Sequence, residues 1–377
     1  MDEKIKLNPD DKEKRQIKIN KFKILFYFSV LINALVIFIF IIFYYSIKNE
    51  YNIQIQQLTK INNNLNTDIN EINKFLKIVQ QENMDNSLKQ QNNFCKNTKL
   101  FYKKEFEDRI KRVEINFDNK TYNMYIYKSL DYISKAIMKD KNWENSQTKL
   151  ILEALNYYSN KTNITNEDIY ILDIGANIGW YSITLGKYGY NIISFEPSNI
   201  NNYILNKNYC LNKEINITII NKGLYNKEEK CDLYNEIANL GNGMTICDKN
   251  SSLPTNLIPN KTGEIILTRL RNYIPFLSEK NLVLIKIDIE GSEGKAIEGG
   301  IELITKYHVP FIFLEFTPKS LEVHGTDPIK FLQLFIDNGY RISYISFFDN
   351  TTNSIKKVMK RNRGILNLYF SHFKILE

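Results

Sequence analysis

From residue 169 onward, short uninterrupted apolar runs alternate with amphipathic ones. The apolar runs are Ile169–Ile174, Asn191–Phe195, Ile215–Ile220, Leu282–Ile287, Pro310–Phe316, Arg341–Ser346 and Ile365–Phe370. Runs this short with little polar alternation predict strands buried on both faces. Helical patterns lie among them, over Glu293–Tyr307 and Pro328–Asn338. Such a succession folds as an α/β domain, a Rossmann-like, doubly wound and mostly parallel sheet with helices on both sides. Sheets of that kind bind ligands outside the C-terminal ends of their strands, at the switch in strand order.

The first hundred residues are of another kind. Residues 1–23 are polar and charged and read as a cytosolic tail, and residues 24–47 are apolar except for Ser29, Asn33 and Ser46. At about 1.5 Å per residue such a helix crosses a hydrocarbon core of about 30 Å. Lys12, Lys14, Arg15, Lys18, Lys21 and Lys23 precede the run, whereas only Lys48 and Lys60 follow it closely. That asymmetry predicts a single-pass type II signal-anchor, with the remainder of the chain lumenal, in the Golgi or a similar endomembrane. Residues 48–98 carry Tyr51, Leu58, Leu65, Ile72 and Val79 at seven-residue spacing, with Ile61 and Phe75 at matching d positions. They predict a helical stem, either a solvated spacer or a short coiled coil that makes a homo-oligomer. Residues 99–377 form the globular domain. It opens with a hairpin, Val113–Phe117 and Tyr122–Tyr127 around Asp118-Asn119, and a helix over Gln147–Tyr158.

The chemistry gathers at strand ends. The first strand of the sheet runs into Leu172-Asp173-Ile174-Gly175-Ala176-Asn177-Ile178-Gly179. Its glycines let the backbone turn sharply and approach a ligand with no Cβ in the way. The second ends in Phe195-Glu196-Pro197, where a carboxylate can accept both hydrogen bonds of a ribose diol. A dinucleotide fingerprint requires glycine where Asn177 stands, so an adenosine ligand without a pyrophosphate is favoured. No GxxxxGK[ST] occurs, which excludes a P-loop. The fourth strand ends in Lys286-Ile287-Asp288-Ile289-Glu290-Gly291-Ser292-Glu293. Alternation along an extended chain would put Lys286, Asp288 and Glu290 on one face, beside the crevice.

These three motifs, in this order and spacing, resemble the FkbM family of methyltransferases over roughly residues 110–350, with weaker continuation at Glu315 and Gly339-Tyr340. The resemblance implies a seven-stranded class I fold and O-methylation from S-adenosyl-L-methionine, often onto a sugar or polyketide hydroxyl. By carry-over, Asp173, Gly175, Ala176, Asn177, Gly179 and Glu196 would bind the cofactor, and we add Asn221 at the end of the third strand. One departure stands out. The family usually has a Thr-x-x-Leu-Asp-Asp-like segment before the fourth strand, whereas here Thr268-Arg269-Leu270 leads to Arg271-Asn272.

Methyl transfer to a hydroxyl benefits from a positioned base. Asp288 ranks first, then Glu290 and His324, with Lys286 holding the carboxylates ionised. His308 belongs to the opposite edge of the sheet and His372 lies near the chain end. The long interval of about 223–281 predicts an inserted hairpin or lid, with Gly241-Asn242-Gly243 as its turn, shaping the acceptor site. A glycan or another hydroxyl-bearing acceptor is expected, lipid and protein acceptors being the alternatives, and a non-catalytic membrane tether the rival from another class.

Composition bounds the rest. Asn is so abundant that single asparagines are discounted, and the seven Asn-x-Ser/Thr sequons with them. The net charge of +8 is spread along the chain without a basic cluster, so nucleic acid is not an expected partner. Lys356–Arg363, the densest basic run, reads as a solvated loop. The four cysteines show no metal spacing and no metal is expected. They read mostly as buried thiols, although Cys231 and Cys247 could pair in an oxidising lumen.

Overall fold

The computed structural model describes residues 29–36, 51–96, 104–128, 131–236, 239–247, 261–361 and 364–376. Of the expected membrane span, residues 29–36 are helical and the rest, like the tail before it, lies outside the described residues. Among the described residues no helix is long and apolar enough to cross a membrane. The stem is one helix, α1 (Tyr51–Lys96). From Gln80 onward the chain forms one compact unit, and the stretch before it a separate one.

Seven strands make the central sheet: β3 (Ile169–Ile174), β4 (Asn191–Phe195), β5 (Ile217–Ile220), β10 (Asn281–Ile287), β11 (Phe311–Phe316), β12 (Tyr340–Ser343) and β13 (Leu366–His372). Their order is β12-β13-β11-β10-β3-β4-β5. Five strands from β11 to β5 run parallel, and β13 is antiparallel to both of its neighbours. The chain travels outward from β3 through β4 to β5, then returns to β10 on the other side. The switch therefore lies between β3 and β10, whose C-terminal ends carry Asp173 and Lys286 in register.

Alternate side chains of the buried strands feed two cores, one on each face. Ile169, Ile171, Ile192 and Phe311 enter one, and Leu172, Ile174, Ile193, Ile287 and Ile312 the other. Each fully buried aliphatic side chain contributes about 1.5–3 kcal/mol. The hairpin β1 (Ile110–Phe117) and β2 (Lys120–Tyr127) covers the first core. It is fastened to α5 (Asn199–Leu211) by Asn208, whose side chain bonds both the N–H (2.5 Å) and C=O (3.0 Å) of Tyr125, and by Asn212, which donates to Asn123 O at 3.0 Å.

The last turns of α1 close the outer edge of the sheet. Gln91 is 3% exposed; its Nε2 donates to Ile217 O at 3.0 Å and its Oε1 accepts from Ile219 N at 3.2 Å. One primary amide thus pairs with β5 as a further strand would, satisfying an edge that otherwise invites another chain. Cys95 and Cys210 form a disulfide that joins α1 to α5, and Cys231 pairs with Cys247. The expectation of buried free thiols is corrected: none of the four cysteines is free.

The insert forms its own four-stranded sheet of β6 (Gly223–Leu224), β7 (Glu229–Glu236), β8 (Asn239–Ile246) and β9 (Gly263–Thr268), in the order β6-β9-β7-β8. Gly241-Asn242-Gly243 lies inside β8, not at a turn. A Cβ on Gly241 would come 2.2 Å from Asp131 Oδ1, so glycine serves close packing there. Two further expectations change. The helix foreseen over Glu293–Tyr307 is two short ones, α6 (Glu293–Glu298) and α7 (Glu302–Thr305), broken at Gly299-Gly300 where the backbone presses on Tyr225 and Leu270. The basic run at Lys356 is the helix α10 (Ile355–Arg361), anchored by buried Val358.

Candidate active site

The turn from β3 into α4 (Trp180–Gly186) frames the crevice. Gly175 has φ +77°, and a Cβ there would lie 1.9 Å from Asp288 O, so the switch point closes only around glycine. The Gly175 and Ala176 amides donate to Phe195 O at 3.0 and 3.1 Å, binding the turn to β4. Asn177 takes the left-handed conformation at φ 51°; its Oδ1 accepts from Ile178 N at 2.8 Å and its Nδ2 donates to Gly241 O at 3.1 Å. Asn201 donates to the same carbonyl at 3.0 Å, so β8 of the insert is held directly over the turn. Gly179, at φ +93°, starts α4.

Glu196, at the end of β4, is held by two backbone amides, Asn177 N on Oε2 and Ser198 N on Oε1, each at 2.8 Å. Its burial pushes the carboxyl up to about 7, although both amides act to lower it. Each oxygen keeps acceptor capacity for a further donor. A small pocket beside it is walled by Gly175, Phe195, Pro197, Leu224, Ile289 and Ser292, from the sheet, the insert and the loop after β10. An adenosine suits this arrangement: a fixed carboxylate with free acceptor sites, a Cβ-free turn and a mostly apolar wall. Asn221 is exposed just after β5, its amide placed to donate to Glu196 O at 3.0 Å and Pro197 O at 3.1 Å.

Next to the crevice lies a charged cluster. Strand β10 ends at Ile287, so of the three residues expected on one strand face only Lys286 is in the strand. Asp288 and Glu290 sit in the loop that follows, Glu290 in the left-handed region at φ 57°. Buried Glu293 clamps that loop, its Oε1 accepting from Ile289 N at 3.0 Å and Gly291 N at 3.1 Å. Lys286 Nζ donates to Gly175 O at 2.7 Å and stands 3.4 Å from Asp173 Oδ1 and 3.6 Å from Asp288 Oδ2. Burial acts to lower its pKa, but Asp288, Asp173 and Glu144 outweigh that and raise it. Asp173 also accepts from Ser182 Oγ at 2.5 Å.

The structure adds Glu315 of β11 to the predicted set. Carboxylate oxygens of Asp288, Glu290 and Glu315 lie within 4.8 Å of one another, a spacing that fits ligation of one hard cation. Burial, then Asp288, Glu290 and Glu144, push the Glu315 carboxyl up to about 9. Glu144, bonded to Tyr181 OH at 2.5 Å, is a second residue that sequence reading missed. His324 follows α8 (Pro318–Val323), and its Nδ1 lies 3.5 Å from Ser292 Oγ. Burial lowers its pKa, so it is neutral near pH 7. It borders the Asp288 loop without joining the carboxylates.

Strand order, the glycine turn and the buried Glu196 carboxylate at the end of β4 are those of a class I methyltransferase, an enzyme of the S-adenosylmethionine-dependent kind. Sequence comparison agrees: residues 173–342 match the methyltransferase FkbM domain. No curated protein matched the sequence. Among solved structures, the bifunctional kinase-methyltransferase WbdD is similar at 13% identity and a TM-score of 0.38, covering 63% of this chain and 41% of that one. The 16S rRNA N2 G1207 methyltransferase RsmC of T. Thermophilus, in complex with AdoMet and guanosine, aligns at 10% identity and a TM-score of 0.34, over 70% of this chain and 50% of that one. This chain thus spans about two fifths of the WbdD chain and half of RsmC. Likenesses this distant decide nothing about its chemistry.

Proposed function

We propose that this protein is an O-methyltransferase that uses S-adenosyl-L-methionine to methylate a hydroxyl of a glycan or glycoconjugate. The observation that carries the reading is the group of carboxylates, Asp288, Glu290 and Glu315, at the ends of β10 and β11 beside the adenosine crevice. Glu196 would hold the ribose, with Gly175, Ala176, Asn177 and Gly179 shaping the turn beneath it. When bound, the cofactor supplies an electrophilic methyl group. The protein's task is to align an acceptor oxygen and take its proton, worth roughly 10²–10⁴-fold in rate. Asp288 is the base in this reading. Lys286, 3.6 Å away, keeps it ionised, and Glu290 and Glu315 orient the hydroxyl.

The apolar run of 24–47 and its flanking cations support a type II membrane protein with a lumenal catalytic domain. The two disulfides favour the same side, since such bonds persist in oxidising compartments. The heptads of the stem support self-association. Incubating the full-length protein with methyl-labelled S-adenosylmethionine and a mixed glycan pool, with and without chelator, tests the activity. Labelled glycan that is stable to base is expected. Label found only in lipid or protein would overturn the acceptor class, and no label with bound S-adenosylhomocysteine would favour a tether.

A further inference from the structure

At the opposite end of the sheet from the methyl-transfer crevice, a pocket of about 290 Å³ opens between the start of β11 and the end of β13. It is lined by Lys306, Tyr307, His308, Pro310, His372 and Lys374, with Ile375 at its base. Six residues of β11 at about 3.3 Å each separate the two ends, roughly 20 Å. Four of the lining side chains are basic and, among the described residues, no carboxylate lines the pocket. The side of α3 (Asn145–Thr162) adds another cation, Lys161, whose Nζ donates to Ile375 O at 2.9 Å.

The two imidazoles stack at 4.6 Å between ring centroids. His372 is fully engaged: Nε2 donates to Asn338 O at 3.1 Å, which leaves Nδ1 to accept from Lys374 N at 3.4 Å. Burial and the neighbouring His308 and Lys374 hold its pKa below the ordinary value, so it stays neutral. His308 is different. Its Nδ1 is buried with no hydrogen-bond partner, and its backbone is in the left-handed region at φ 48°. A buried orphan nitrogen and a strained backbone are both costs, and both persist only where something offsets them. Cations gathered around such a group without a counter-charge are most readily satisfied by an anion.

We propose that this pocket binds a phosphate- or sulfate-type oxyanion, free or carried on a small polar molecule, between Lys306 and Lys374, with His308 Nδ1 as a third point of contact. The site is separate from the reacting atoms, and the inference does not rest on the methyl-transfer reading. Both lysines are exposed side chains whose charge nothing in the lining neutralises. In its Nδ1–H tautomer His308 would donate to the oxyanion and so give its orphaned nitrogen a partner.

The chain has only three histidines, so the test can be read residue by residue. The full-length protein in detergent, with ¹³C-labelled histidine, is titrated by NMR in chloride, in inorganic phosphate and in a sugar monophosphate at equal ionic strength. In phosphate the His308 ring resonances are expected to shift along a saturating curve, while those of His324 do not move. The double variant Lys306→Gln/Lys374→Gln, changed only at exposed positions, should lose that shift and keep the chloride spectrum. A shift with the sugar phosphate alone would assign the ester as ligand, and a shift with both would assign the oxyanion itself. No shift in either, an equal shift for His324, or an undiminished shift in the double variant would each overturn the proposal.

Discussion

Lys286 Nζ lies 3.4 Å from Asp173 Oδ1, across the switch point where β3 and β10 part, and both side chains are buried. The pair ties the two strands on which the proposed cofactor- and acceptor-binding residues are mounted. Replacing Lys286 by Met leaves the Asp173 charge in a dry interior, which costs about 3–5 kcal/mol. Urea unfolding should show that loss. The double variant Asp173→Leu/Lys286→Met should recover most of it, because an apolar pair of similar volume carries no desolvation penalty. A double variant as unstable as the single one would mean that packing, not charge, is what Lys286 supplies.

Stability should also fall with rising pH. Burial is the first cause that lifts Glu196 and Glu293 to about 7 and Glu315 to about 9, against an ordinary value of 4.5. Where the folded pKa is raised, the folded state keeps a proton that the unfolded chain has released. The contribution is therefore whole below about pH 4.5 and is lost as pH climbs through about 7 for the first two and about 9 for Glu315. Urea titrations across that range should show a steady decline. Glu315→Gln should lessen the slope from about pH 4.5 upward and abolish it between about 7 and 9, and an unchanged slope in that upper part would remove Glu315 as its source.

The end of α1 should behave as part of the globular unit. The Cys95–Cys210 link joins residues 115 apart, and closing a loop of that length contributes up to about 5 kcal/mol. The pair Cys95→Ser/Cys210→Ser is expected to lose that much. Gln91→Leu leaves an N–H and a C=O of β5 unpaired and should cost about 1–3 kcal/mol, with a greater tendency to aggregate. Thermal unfolding of each variant, with light scattering, is the measurement. A Gln91→Leu protein as stable and soluble as the parent would deny the clasp any role.

Much of this was legible in the sequence because strand period and strand-end chemistry are local. Ile169–Ile174 buries alternate residues in opposite cores, and its continuation into Asp173-x-Gly175 announced the crevice before any contact was known. The missed features are those that depend on distant partners. Glu144 joins the site from before the sheet with no motif around it, and Glu315, which the sequence marks only as a weak continuation of the resemblance, joins from the neighbouring strand. Asn201, Asn208 and Asn212 carry buried hydrogen bonds. A chain rich in asparagine hid them, since nothing in composition separates a structural amide from a solvated one. The pairing of Cys95 with Cys210 was invisible for the same reason. Reading Glu290 as part of a strand failed because its positive φ reverses the alternation that strand geometry would impose.

The base is the remaining choice, and geometry sharpens it. His324 is neutral and within 3.5 Å of Ser292 Oγ, but it borders the loop that Asp288 belongs to without entering the carboxylate group. Asp288 stands 3.6 Å from the Lys286 ammonium and close to both Glu290 and Glu315. An Asn at 288 preserves size and removes proton affinity, so Asp288→Asn should lower kcat by about 10²–10⁴-fold. Cofactor affinity should change little, because Glu196 and the glycine turn are untouched. His324→Ala should leave kcat within about tenfold, the loss being confined to packing against Ser292. Single-turnover rates with saturating S-adenosylmethionine separate chemistry from release. Near-normal turnover in Asp288→Asn, with a hundredfold or greater loss in His324→Ala, would transfer the role of base to His324 and leave the carboxylates as acceptor-orienting groups.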